Sequence, residues 1–306
     1  MIVRLGLSIA GTIIEFRSAF ALCAPSDMLE EDHLRLLLKG FGYRGVKKPD
    51  IRIRVIPVRR MPSIFGWKPV FTARGSKAEV NWQLFSRKNT YRYHFAFEEQ
   101  FYSVFVNSSF TRVEAYVHCP KAGPLQWNVG ALVHHLVQVL LINYLAFQGS
   151  GVFLHACAVS DNRIGGMLFV GKSNSGKSTL ARFWSGQEGA AVLNDDRAIV
   201  TRRGKRFLVH TGPWSGEFYD YFGERLEPAV LRQVYLISRA PRHRLLSCAE
   251  LDVFSSLYTQ TLLTFWNKKS LQNISAFLNR LTSEVPCSKL EFAKDVSVVG
   301  YLRGRK

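Results

Sequence analysis

Gly171-Lys172-Ser173-Asn174-Ser175-Gly176-Lys177-Ser178, followed by Thr179, reads G-x-x-x-x-G-K-S, the spacing of a loop that cradles phosphate groups. Before it, Gly166-Met167-Leu168-Phe169-Val170 is a short apolar run that ends at glycine, as a buried parallel strand does. After it, Thr179-Leu180-Ala181-Arg182-Phe183-Trp184 carries good helix formers and sets Leu180, Phe183 and Trp184 on one side. The motif therefore falls between a strand and a helix N-terminus, where backbone N–H groups and the helix dipole attract an anion. Glycine at 171 and 176 permits backbone angles that other residues avoid. Lys177 is expected to reach the outer phosphates of a nucleotide and the Ser178 hydroxyl to hold Mg²⁺.

About one helix further on, the apolar pair Val192-Leu193 leads into Asn194-Asp195-Asp196. A carboxylate at the end of a strand beside such a loop can bind Mg²⁺ or accept a proton. Adjacent residues on an extended chain point in opposite directions, so the two aspartates divide the work, or one serves only as a turn or cap. Upstream, His155 in Phe153-Leu154-His155-Ala156-Cys157-Ala158 precedes the loop by one hairpin. It reads equally as a phosphate contact or as a core histidine.

His155-Ala156-Cys157-Ala158-Val159, Gly171 to Leu180, and Asn194-Asp195-Asp196 together resemble the catalytic domain of HPr kinase/phosphorylase. They are closer to the smaller bacterial HPr-kinase-related proteins, whose strings are H-A-x-A-V, G-x-S-G-S-G-K-S-T-L and S-D-D. Thr211-Gly212-Pro213-Trp214-Ser215-Gly216-Glu217 is similar to a loop of those relatives, and the likeness continues through Leu290-Glu291-Phe292. The resemblance implies an α/β mixed sheet with a phosphoenolpyruvate-carboxykinase-like nucleotide-binding core. It also implies an ATP-dependent kinase acting on a hydroxyl, a serine foremost, of a peptide, protein or small metabolite. Carried over, Lys177 and His155 lie at the phosphates, Asp195 is the base, and Ser178 and Asp196 ligate Mg²⁺. Gly171, Ser173, Asn174, Ser175, Gly176, Lys177, Ser178 and Thr179 would bind ATP. Thr179 stands where HPr kinase proper has Glu, which turns the expectation away from HPr itself. Trp214 and Glu217 are candidates for a substrate loop, or for a tight turn with a packed Trp. Arg242, with Arg239 and Arg244 around Pro241, would clamp an anionic group or form a solvated basic turn.

Residues 1–125 read as a β-rich domain that either recognises substrate or covers the core, and 126–306 as the catalytic domain. The first part shows a hairpin from Ile2 to Phe16, a short helix from Glu30 to Leu38, and an alternating strand from Ile51 to Ile56. A meander runs on through Tyr91-Arg92-Tyr93-His94-Phe95 and Arg112 to Val117. Pro120-Lys121-Ala122-Gly123-Pro124 breaks regular structure and marks the boundary. A helix is expected over Trp127 to Phe147, and amphipathic helices over Leu251 to Trp266 and Leu271 to Leu281.

The chain has 306 residues, 47% of them hydrophobic, enough for a sizeable core. Its net charge of +18 favours anionic partners, while the Arg–aromatic alternation fits a half-exposed sheet better than a nucleic-acid surface. The five cysteines are far apart and form no C-x-x-C pair, so buried thiols in a reducing cytoplasm are expected, without disulfides or zinc. No secretory leader or membrane span is read, and a homo-oligomer is compatible with the sequence. Two other readings stay in view: a nucleotide-gated regulatory module, and a carboxykinase of the same core.

Overall fold

The computed structural model describes residues 3–18, 38–74, 80–97, 100–118, 132–214, 216 and 227–304. The protein is a mixed α/β chain with two large mixed sheets and few helices. It divides into two compact units, Met1–Tyr144 and Leu145–Lys306. The Pro120–Pro124 segment, the helix expected from Glu30 and the start of the one expected from Trp127 lie outside the described residues. From Leu132 to Val137 the latter runs as a π-helical segment, then continues as α1 (Gln138–Gln148). Among the described residues, no helix is long and apolar enough to cross a membrane.

The first unit contains β1 (Val3–Ile9), β2 (Thr12–Ser18), β3 (Ile51–Val58) and β4 (Lys68–Arg74). Then follow β5 (Val80–Arg87), β6 (Thr90–Phe97), β7 (Gln100–Val106) and β8 (Arg112–His118). They form one sheet in the order β1-β2-β3-β8-β7-β6-β5-β4. Strand β3 alternates as its sequence requires, with Ile51, Ile53 and Val55 buried and Arg52 and Arg54 exposed. Arg92 departs from the half-exposed pattern, since it is wholly buried. Its guanidinium donates to Ser103 Oγ at 2.8 Å and to the carbonyls of Ser63 and Pro62, and lies 4.6 Å from the Phe105 ring centroid. These bonds make the burial of a charge tolerable.

The second unit opens with β9 (Gly151–Asp161), β10 (Gly165–Val170), α2 (Lys177–Ser185) and β11 (Ala190–Asn194). It continues with β12 (Arg197–Arg203), β13 (Arg206–His210), β14 (Ala229–Arg239) and β15 (Arg244–Leu246). Helices α3 (Glu250–Gln260) and α4 (Lys268–Glu284), strand β16 (Cys287–Phe292) and helix α5 (Ser297–Arg303) complete it. The sheet order is β10-β9-β12-β13-β14-β16-β15, and β10 also pairs β14 in parallel, closing a circuit of pairings.

Alternation along β9 feeds two cores. Leu154, Ala156 and Ala158 enter one with α3 and α4, through Val253, Leu257, Ile274 and Leu278. Cys157 and Val159 enter the other with Leu180, Ala181 and Trp184 of α2 and Val298 and Leu302 of α5. Each large apolar side chain so buried contributes about 1.5–3 kcal/mol relative to exposure. Helix α4 is capped by Asn267, whose side chain accepts from Ser270 N at 2.9 Å.

The helix expected over Leu251 to Trp266 stops at Gln260 instead. Thr261 bridges Leu154 of β9, and Leu262 N donates to Phe153 O at 2.9 Å. An open strand edge offers backbone partners that a further helical turn would forgo. Strand β4, the short β15 and helix α5 carry weaker patterns, and their sequences alone do not single them out.

Candidate functional site

Three stretches of the second unit converge at the C-terminal end of β10. The first is the 171–178 loop itself. Gly176 has φ +108°, and a Cβ there would meet Phe292 Cζ at 2.5 Å. At Gly171 a Cβ would come within 2.5 Å of Ser175 Oγ and 2.9 Å of Ile237 Cγ1. Both glycines are therefore demanded by the close fit of the loop against β14 and β16, and Gly176 by backbone angle as well. No side chain caps the N-terminus of α2, so an anion in the cavity can take that place. Lys177 is buried, at 7% exposure, and its ammonium donates to Gly171 O at 2.9 Å and Lys172 O at 3.2 Å. Burial holds its pKa below the usual lysine value, against the pull of Asp196 and Cys157.

The second stretch is the break between β11 and β12. Both strands pair with the same side of β9, β11 over 158–161 and β12 over 151–156. Asn194-Asp195-Asp196 makes the step between them. Asn194 Oδ1 accepts from Asp196 N at 3.0 Å and also from Arg197 N, while its Nδ2 donates to Trp214 O at 2.7 Å. This local turn holds the two carboxylates in place. Asp195, only 3% exposed, accepts from Gly216 N at 2.7 Å through Oδ1. A Cβ at Gly216 would lie 2.9 Å from Asp195 Oδ2, so the close approach requires glycine.

The third is His155 on β9, on the same face as Cys157. Its Nε2 lies 3.0 Å from Asp196 Oδ1, whose other oxygen is 3.3 Å from Arg197 Nε. Burial first, then the charges of Lys177 and Arg197, lower the His155 pKa, and Asp196 opposes them. The imidazole is accordingly neutral near pH 7 and can donate one hydrogen bond. Cys157 beneath it is wholly buried, and burial pushes its thiol far above the usual range, so it is no nucleophile.

These stretches line one cavity of about 470 Å³. His155, Lys177, Ser178, Asp195 and Asp196 border it, as do Ser173, Asn174, Gly176 and Thr179 of the loop. Gly171 and Ser175 shape the loop from behind, and the Ser175 hydroxyl is buried with no hydrogen-bond partner among the described residues. Trp214 is 2% exposed and packs its ring 5.7 Å from that of Phe153, so it supports the aspartate turn rather than facing the cavity. Glu217 lies outside the described residues. Arg242 is exposed and is not in the lining, whereas Arg239, at the end of β14, is. Arg182, which the sequence reading passed over, also lines it. Its spacing of four from Ser178 on α2 is the signal that could have found it.

The donor set fits a hard divalent cation. One or two carboxylates, a hydroxyl and the oxygens of a phosphate ligand are the usual company of Mg²⁺, and Ser178 and Asp196 border the same space. No cluster of three or more His, Cys, Asp or Glu suited to a metal occurs among the described residues. The described residues alone therefore do not cage a metal, and a phosphate ligand would complete the coordination offered by Ser178 and Asp196. Neither protein-family models nor curated proteins return a match to this chain.

Proposed function

We propose that the protein is a Mg-ATP-dependent kinase that transfers a phosphoryl group to a hydroxyl, foremost a serine, of a peptide, protein or small metabolite. One observation carries this reading. A cation-bearing glycine loop at a helix N-terminus shares a single cavity with two carboxylates and a histidine. The loop motif and the order of His155, the loop and the aspartate pair support a phosphoenolpyruvate-carboxykinase-like core.

In this reading, backbone N–H groups of the loop hold the nucleotide phosphates and Lys177 turns its ammonium from the loop carbonyls to them. Mg²⁺, held by Ser178 and Asp196, would neutralise charge on the phosphates. Asp195, fixed by Gly216 N, accepts the proton of the acceptor hydroxyl. The acceptor oxygen bonds to the γ-phosphorus as the bond to the β-phosphate oxygen breaks, and ADP leaves. His155 orients Asp196 and offers a hydrogen bond without adding charge. Arg182 and Arg239 add positive charge where the transferring group passes. Little covalent chemistry is asked of the protein, since positioning and charge neutralisation carry phosphoryl transfer.

The test is transfer of labelled γ-phosphate from Mg-ATP into protein, peptide and small-molecule fractions of a cell extract, beside the Asp195→Asn protein. Label that depends on Asp195, with ATP binding retained in the variant, is expected. Absence of label with ATP still bound would set kinase activity aside and leave a nucleotide-gated module.

A further inference from the structure

A second cavity, of about 420 Å³, lies against the 171–175 side of the loop. Its floor is Val170, Leu236 and Ile237, at the carboxyl ends of the parallel neighbours β10 and β14. The carboxyl ends of parallel strands are where α/β sheets commonly hold their ligands. Its far wall is the last turn and a half of α3, with Ser256, Thr259 and Gln260, and Ser238 joins them from β14. Ser173, Asn174 and Arg239 belong to both cavities. An occupant of the second is thus continuous with phosphates held in the first.

We infer that this second cavity takes the nucleoside of the phosphate donor, its base against the apolar floor and its ribose and base edge against the hydroxyl and amide wall. The inference rests on the kinase reading and deepens it. Three features favour this occupant. The space is within the size range of small-molecule sites, roughly 300–1,000 Å³. Hydroxyl and amide side chains both donate and accept, which suits the mixed edges of a base and a ribose. And among the described residues its lining holds no carboxylate and no histidine, so an acceptor hydroxyl placed there would find no base among them. That leaves the acceptor on the Asp195 side. Lys172 and Arg239 are its cations, and Arg239 stands where the two cavities meet, as the phosphate end of a nucleotide requires.

Titration calorimetry with Mg-ATP and with Mg-tripolyphosphate, which lacks the nucleoside, tests the inference. Thr259 is exposed on α3 and Ser256 only partly buried, so Thr259→Trp and Ser256→Trp can fill the cavity without disturbing a core. Both variants are expected to weaken Mg-ATP binding at least tenfold and to leave Mg-tripolyphosphate unchanged. Gln260→Ala, which adds no bulk, is expected to weaken ATP alone by a smaller factor. Equal binding of ATP and tripolyphosphate by the unaltered protein would overturn the inference. So would filled variants that bind ATP as before, or that lose both ligands equally while melting normally. Lys177→Ala separates the two levels. If it leaves both affinities intact, the kinase reading itself falls; if it abolishes both while the filled variants do not discriminate, only the nucleoside assignment does.

Discussion

His155 Nε2 on β9 and Asp196 Oδ1 at the break between β11 and β12 stand 3.0 Å apart. They lie 41 positions apart in the chain (196 − 155), and are brought together because β12 pairs β9 beginning at Arg197 and His155. The bond ties the histidine to a carboxylate while Lys177 and Arg197 act on it from the other direction.

The balance of those charges predicts the titration of His155. Its midpoint by NMR should lie below the ordinary histidine value of about 6.5. Lys177→Met removes a positive neighbour and should raise the midpoint; Asp196→Asn removes the one opposing charge and should lower it further. A midpoint that ignores both changes would show that the charges do not act on the ring.

Loop geometry can be tested through stability. Gly176→Ala places a side chain at φ +108° and against Phe292. A loss of about 1–3 kcal/mol is expected from the backbone strain, read by chemical denaturation. An unchanged midpoint would mean that the loop relaxes freely.

In the first unit, His94 is 8% exposed and its Nε2 has no hydrogen-bond partner among the described residues. Burial, then the nearby Arg92, lowers its pKa to about 4. The unfolded chain takes up this proton near pH 6.5 and the folded chain does not until near 4, so stability falls as pH drops through that window. The loss is at most about 3 kcal/mol. Urea unfolding of His94→Phe should show a flatter dependence between these pH values than the unaltered protein; parallel curves would refute the assignment.

Helix α5 is fastened by Arg303, whose guanidinium donates to Asp161 Oδ2 at 2.7 Å and 3.0 Å and to Glu188 O at 2.8 Å. The Asp161 side chain is wholly buried. Arg303→Ala leaves Asp161 Oδ2 without its partner while Oδ1 keeps the N–H groups of Arg163 and Ile164, and should cost up to about 3 kcal/mol, with the melting temperature as readout. Arg303→Lys, which keeps charge but not the fork, should recover part of it.

The loop, the strand before it and the helix after it were legible in the sequence because their determinants are local: glycine at fixed spacing, an apolar run, and Leu180 and Trp184 one turn apart. The strand ending in Asn194-Asp195-Asp196 was legible for the same reason, but the residue that holds the turn is Asn194, not one of the aspartates. The end of α3 was not, since Thr261 and Leu262 answer to the edge of β9, a partner more than 100 residues away. Burial of Arg92 was not either, because its acceptors are Ser103 and the carbonyls of Pro62 and Ser63.

What the sequence by itself determined is the chemistry at hand: a glycine loop with its lysine, a pair of carboxylates and a histidine, each set by neighbours a few residues away. Only the tertiary structure decided that His155 reaches Asp196, that Gly216 N holds Asp195, that Arg182 and Arg239 join the cavity while Trp214 is buried behind it, and that a second cavity adjoins the loop. Strand pairing between distant segments sets those relationships, and no local pattern encodes which strand edges meet.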